Sequence, residues 1–312
     1  MFKDLGVIVT WWVYLLGIGL IFFPLTKKVF HNFFDKGYLF SKTIGILFSS
    51  YLVWLLASLK ILPFYRESIW LILLIGIIIN LLISTHKSRF LSKTLLPPNP
   101  YHLPSIIILE ELIFLVTLIF WSFIRGFQPD IQGLEKFMDF GFMNSILRSK
   151  YFPPVDMWFA GKSINYYYFG HYIAAFLTKL SGINSAITYN LMIATLFAFC
   201  FSLTFSLAGN LIYLFLKESF EDLKIGNCPS TLLRMVSLSN HLKIGNWKLI
   251  IIGGLLSATL VSLGANLHPA YYNLKMKIFD KPYCDGAKTY WYPNATRYIG
   301  YCPDVEDKTI HE

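Results

Sequence analysis

The chain has 312 residues, 55% of them hydrophobic and 14% charged, with a formal net charge of +9 and a mean hydropathy of +0.53. Soluble domains carry about 25% charged residues, so the composition excludes a soluble enzyme and reads as an integral membrane protein. The excess of Lys and Arg is what the short loops of a polytopic protein need to set their orientation, and it requires no nucleic acid as partner.

A helix crosses the bilayer with about 20 apolar residues. Apolar runs of that order lie at 5–26, 38–59, 105–124, 186–216 and 246–267. The shorter run 69–84 (IWLILLIGIIINLLIS) is uninterrupted and counts as a sixth. The expected fold is therefore an all-α polytopic membrane protein of about six transmembrane helices. Residues 1–104 hold the first three spans, and 105–312 form a second region with an outside loop at 125–172 and a polar tail at 269–312. No low-complexity tract or internal repeat stands out.

Orientation follows from the basic loops. Lys27, Lys28 and Lys36 follow the first span, and Lys87, Arg89 and Lys93 precede the fourth. Both loops belong in the cytoplasm, which puts the N-terminus and the segment from Arg125 onward outside. Lys217, Lys224, Arg234 and Lys243 assign 217–247 to the cytoplasm as well. That parity holds only if 166–180, short and half aromatic, is a juxtamembrane or re-entrant helix and not a span. The four cysteines (Cys200, Cys228, Cys284, Cys302) lack metal-ligand spacing. Cys284 and Cys302 flank a polar segment and pair only if it faces an oxidising space. The chain ends in a charged run, Thr309-Ile310-His311-Glu312, with no closing helix, and reads as the N-terminal part of something longer.

The scarce polar residues are concentrated. The stretch YFPPVDMWFAGKSINYYYFGHY, residues 151–172, holds Asp156, Trp158, Lys162, Asn165, Tyr166, Tyr167, Tyr168, His171 and Tyr172. Upstream, Glu135 and Asp139 stand four residues apart and share a face on a helix. Leu134, Phe137, Met138 and Phe142 give that helix an apolar side that can lie along the membrane. A carboxylate near an apolar surface is a candidate general base. Lys162, His171 and the tyrosines offer donors to a phosphate or headgroup. The competing reading is an interfacial helix with solvated acids and an aromatic belt.

Glu110 and Glu111 fall inside the fourth span, where at least one of two adjacent acids must face the bundle. They mark either a proton or ion pathway or helix–helix hydrogen bonding. Asn190, Asn210 and Asn266 read as interhelical contacts. In the tail, YWYPNATRYIGYCPD (290–304) sets Arg297 beside Thr296 and several tyrosines as a candidate phosphate clamp. Asn294-Ala295-Thr296 also matches a glycosylation acceptor.

The run GLEKFMDFGFMNSILRSKYFPPVDMWFAGKSINYYYFGHY resembles the signature of an uncharacterised archaeal and chloroflexal membrane-protein family known for its Tyr-Tyr-Tyr run. YWYPNATRYI resembles a second block of that family, with Asn294 where an acidic residue is common. The resemblance covers about residues 105–312. More distantly, the layout is similar to the C-type (GT-C) glycosyltransferases. That similarity implies a polyprenyl-phosphate-linked sugar as donor and catalysis at the extracytoplasmic face. It also implies Glu135 or Asp139 as the base, with Lys162, His171 and Arg297 on phosphate. Asp156, Asn165 and the tyrosines would line the sugar or lipid path. A divalent cation fits the outside acids without being demanded by their spacing. Two other readings stand beside it: a transporter or flippase centred on Glu110 and Glu111, and a non-catalytic scaffold whose aromatic cluster is a docking belt.

Overall fold

A computed structural model of the chain describes residues 2–85, 103–133, 135–224, 247–264, 301–303 and 309–311. Its helices are α1 (Phe2–Val29), α2 (Tyr38–Ser58), α3 (Arg66–Thr85), α4 (Leu103–Gly126), α5 (Lys136–Arg148), α6 (Phe169–Ser181), α7 (Ser185–Lys224) and α8 (Trp247–Leu263). The fold is that of an all-α membrane protein. Among the described residues, α1, α2, α4 and α7 are long and apolar enough to cross a bilayer. Helix α3 is an apolar helix of 20 residues. The chain divides into two compact units, Met1–Ala258 and Thr259–Glu312. The second contains a short antiparallel pair, Tyr301–Pro303 against Thr309–His311. The first brings together helices from both sides of residue 104.

Helical periodicity explains the packing. On α1, Trp11, Leu15, Ile18 and Phe22 recur every three or four residues and are buried. On α2 the matching stripe is Lys42, Gly45, Ile46, Ser49, Ser50, Val53 and Ala57. Small residues let these two helices approach closely. A Cβ on Gly45 would lie 2.7 Å from Ile18 Cγ2 and 2.8 Å from Phe22 Cδ2. Helix α4 packs on α7, where Phe114 and Leu118 share a buried core with Ala194 and Ala198 and the Phe114 ring lies 5.1 Å from that of Phe199. Trp121 stacks on Phe197 with centroids 4.1 Å apart.

Helices α5 and α6 are 13 residues each, too short to span. They sit at the end of the bundle formed by the C-terminus of α2 and the N-terminus of α3. Phe64 N–H donates to Lys150 O (2.8 Å), Tyr172 OH to Ser50 O (2.7 Å) and Arg66 Nε to Leu180 O (3.1 Å). Burial pushes the Tyr172 phenol up. Helix α7 starts at this end, where Ser185 Oγ donates to Asn144 Oδ1 (3.0 Å). At its other end burial pushes the Lys36 ammonium down, and the nearby charges of Lys217 and Lys27 push it further. Basic residues thus gather at the end opposite α5 and α6.

Helix α5 departs from its expected orientation. Phe142 is buried, together with Met143 and Ile146, while Phe137 is 57% exposed. The helix therefore turns its later turns toward α6 and the bundle, and its first turn stays open. Cys228, Cys284, Asn266, Asn294 and Arg297 lie outside the described residues, and so does the question of whether Cys284 pairs with Cys302 or both are separate thiols.

Candidate functional site

Between α5 and α6 the chain forms a small hairpin. Asp156 N–H donates to Lys162 O (2.8 Å), Ile164 N–H to Pro154 O (3.0 Å), and Val155 bridges Ser163. The hairpin docks on α5 at Gly141, where an added Cβ would collide with Met157 Sδ. Ser145 Oγ also donates to Val155 O. Asp156 serves this turn: its Oδ1 accepts from Trp158 N–H (2.8 Å) and Phe159 N–H (3.0 Å). Lys162 and Asn165 are exposed on the hairpin and just after it.

Docking of α6 on α5 makes the central contact. His171 Nε2 lies 3.0 Å from Asp139 Oδ1, with side chains 18% and 32% exposed. The tautomer with hydrogen on Nε2 donates to the carboxylate. Nδ1 is buried and has no hydrogen-bond partner among the described residues, so a bare lone pair fits there better than a second N–H. Phe142 gathers the surrounding rings, with centroids 5.5 Å from His171, 5.8 Å from Tyr166 and 6.2 Å from Trp158. Tyr166 OH donates to Tyr167 OH (2.5 Å), and that bond pushes Tyr166 up to about 12. Tyr167 is 74% exposed, and Trp158 and Phe159 are exposed beside it. The third tyrosine is structural: Tyr168 OH accepts from Trp54 Nε1 (3.0 Å).

Of the predicted residues, Asp139, His171, Tyr166 and Tyr167 come together. Glu135 stands exposed at the N-terminal boundary of α5, one turn before Asp139. Tyr189 of α7, within electrostatic reach of both Asp139 and Arg125, was not singled out by sequence. Its aromatic ring reads there as one more apolar residue of a span. Lys136, also missed, opens α5, and burial followed by Arg125 pushes its ammonium down. Among the described residues, no group of three or more His, Cys, Asp or Glu side chains is placed to hold a metal ion.

A second polar cluster lies inside the bundle. Glu111 is fully engaged: Oε1 accepts from Trp12 Nε1 (2.5 Å) and Lys42 Nζ (2.7 Å), and Oε2 from Tyr38 OH (2.5 Å). Lys42 Nζ is also 2.6 Å from Oε2 and lies 3.9 Å above the Phe114 ring. Asp35, in the loop after α1, accepts from Gly37 N–H (2.9 Å) and from Ser206 Oγ. Asn210 ties the same loop to α7, since its Oδ1 accepts from Phe34 N–H (2.8 Å). Glu110 is 0% exposed, and among the described residues no donor reaches either of its oxygens.

Residues 48–312 match the family described as uncharacterised membrane protein, DUF2298. The chain belongs to this family. The matched region takes in α3 to α8 and with them Asp139, His171, Glu110 and Glu111, whereas Trp12, Asp35, Tyr38 and Lys42 of the second cluster precede it. No curated protein and no solved structure matches it.

Proposed function

We propose that this DUF2298 chain is a membrane glycosyltransferase of the GT-C type, using a sugar carried on a polyprenyl phosphate at the extracytoplasmic face. The observation that carries the reading is Asp139, a partly open carboxylate held at 3.0 Å by His171 on short helices at the end of the bundle. A general base needs a fixed position and a free lone pair, and the histidine fixes one oxygen while leaving the other. Glu135 is the more exposed acid, and Asp139 is the one held by the histidine, so Asp139 is the better base. In the reaction, Asp139 takes the proton of the acceptor hydroxyl. The resulting oxygen attacks the anomeric carbon, and the bond to the lipid phosphate breaks with its electron pair leaving on the phosphate. The sugar's configuration inverts. Lys136 and Lys162 are the nearby cations suited to that phosphate. Exposed Trp158, Phe159 and Tyr167 suit a sugar face or prenyl chain.

The test uses the full-length protein in liposomes with radiolabelled polyprenyl-phosphate sugars. Asp139→Asn abolishes transfer, Glu135→Gln retains it, and His171→Gln lowers turnover while leaving donor binding in place. Transfer at the wild-type rate by Asp139→Asn refutes the assignment.

A further inference from the structure

The intramembrane acids divide sharply. Glu111 has every acceptor position occupied by Trp12, Tyr38 and Lys42, and Lys42 balances its charge. Asp35 receives two hydrogen bonds, from Gly37 and Ser206. Glu110 receives none, although it is completely enclosed. The groups that face Glu110 are Asp35 from the loop after α1, Lys42 and Tyr38 from α2, and its neighbour Glu111 on α4. With Lys42 committed to Glu111, no other cation among the described residues faces the second and third buried carboxylates. Two carboxyl groups brought face to face do not both ionise. Asp35 already accepts from two donors as a carboxylate would, whereas Glu110 has no donor to accept from. A hydrogen on Glu110, given to Asp35, satisfies both groups at once.

We propose that Asp35 and Glu110 form a proton-binding site inside the membrane domain, with the proton held on Glu110 and donated to Asp35. The site is independent of glycosyl transfer at Asp139. A buried acid beside a fixed carboxylate is the kind of element from which intramembrane proton relays are built. The occupant is a proton and not a metal ion: Glu110 and Asp35 supply two acids, and among the described residues no third His, Cys, Asp or Glu completes a metal-holding group with them.

Dicyclohexylcarbodiimide, an apolar reagent, tests this in the full-length protein in liposomes at neutral pH. The carboxyl proton passes to a carbodiimide nitrogen while the carboxylate oxygen bonds to the central carbon, so only a protonated acid in an apolar setting forms the adduct. Peptide mass spectrometry then separates Glu110 from Glu111 in the unmutated chain. The expected result is an adduct on Glu110, none on Glu111, and no protection by sodium at constant pH. An adduct on Glu111, no adduct on either acid, or sodium protection of Glu110 overturns the proposal. Infrared spectra give a second readout. The wild-type minus Glu110→Gln difference shows a protonated carboxyl C=O band, and carboxylate bands in its place also overturn it.

Discussion

Replacing Glu111 by Gln tests the energetics of the intramembrane ion pair. Lys42 is completely buried, and Glu111 is its counter-charge at 2.6 Å with a side chain 13% exposed. Gln keeps the volume but removes the charge, and its single carbonyl serves only one of the Trp12 and Tyr38 donors. Breaking a buried pair by removing one partner costs about 3–5 kcal/mol. Chains unfolded within a membrane find other partners, which favours the lower end, about 3 kcal/mol. That is roughly a hundredfold change in the folded-to-unfolded ratio. The assay is reversible unfolding in mixed micelles of rising SDS content. Adding Lys42→Met removes the stranded ammonium, so the double variant recovers about 2 kcal/mol of the loss. A loss below about 1 kcal/mol in Glu111→Gln, or strict additivity in the double variant, refutes the reasoning.

Further outcomes follow from other contacts. Gly45→Ala gains about 0.5–1 kcal/mol of helix propensity but loses about 1–3 kcal/mol by crowding Ile18 and Phe22, so it destabilises. Gly17→Ala, with nothing within 4 Å of the added carbon, is neutral or stabilising in the same unfolding assay. Asn210→Leu strands the Phe34 N–H and costs about 1–3 kcal/mol; a change under about 0.5 kcal/mol counts against that role. Burial pushes the Lys179 ammonium down from 10.5 to about 8. Below about 8 the charged form carries its full burial penalty, and that penalty is relieved as pH rises from about 8 toward 10.5. Wild type should therefore gain stability over that window relative to Lys179→Met, modestly, because the side chain is partly solvated. A flat difference between the two proteins removes the assignment.

Four of the expected spans, α1, α2, α4 and α7, were legible because a 20-residue apolar run has few alternatives to a helix in a bilayer; the run at 246–267 gives only a shorter apolar helix, Trp247–Leu263. Their limits were less so. Helix α1 continues through Lys27 and Lys28 to Val29, since long basic side chains reach back to the interface from a helix end. Helix α6 begins at Phe169 and not at Tyr166, because a turn with Tyr168 N–H on Tyr166 O (2.8 Å) precedes it. The choice between Glu110 and Glu111 was present in the pattern. Ile106, Glu110, Phe114 and Leu118 recur every four residues and form one buried stripe, which points Glu110 inward. Glu111 is drawn in by partners on α1 and α2 that no local pattern reveals. The same holds for Ser206 with Asp35 and for His171 with Asp139. Each depends on which helices become neighbours, and hydropathy records depth in the membrane without recording adjacency.

Helices α4 and α7 connect the two polar clusters. Helix α4 carries Glu110 near its start and Arg125 at its end; α7 carries Tyr189 near its start and Ser206 and Asn210 deeper in. Fifteen residues of α4 separate Glu110 from Arg125, about 22 Å along the axis. Over that distance Glu110 is no direct proton acceptor for Asp139, so any linkage between them must pass through movement of α4 against α7. Residues this far apart with no shared partner have additive effects, to within about 0.3–0.5 kcal/mol. Glu110→Gln combined with Asp139→Asn should therefore show additive losses of stability. A larger coupling would mean that the packed pair α4–α7 has two arrangements, and that proton binding at one end selects the arrangement at the other.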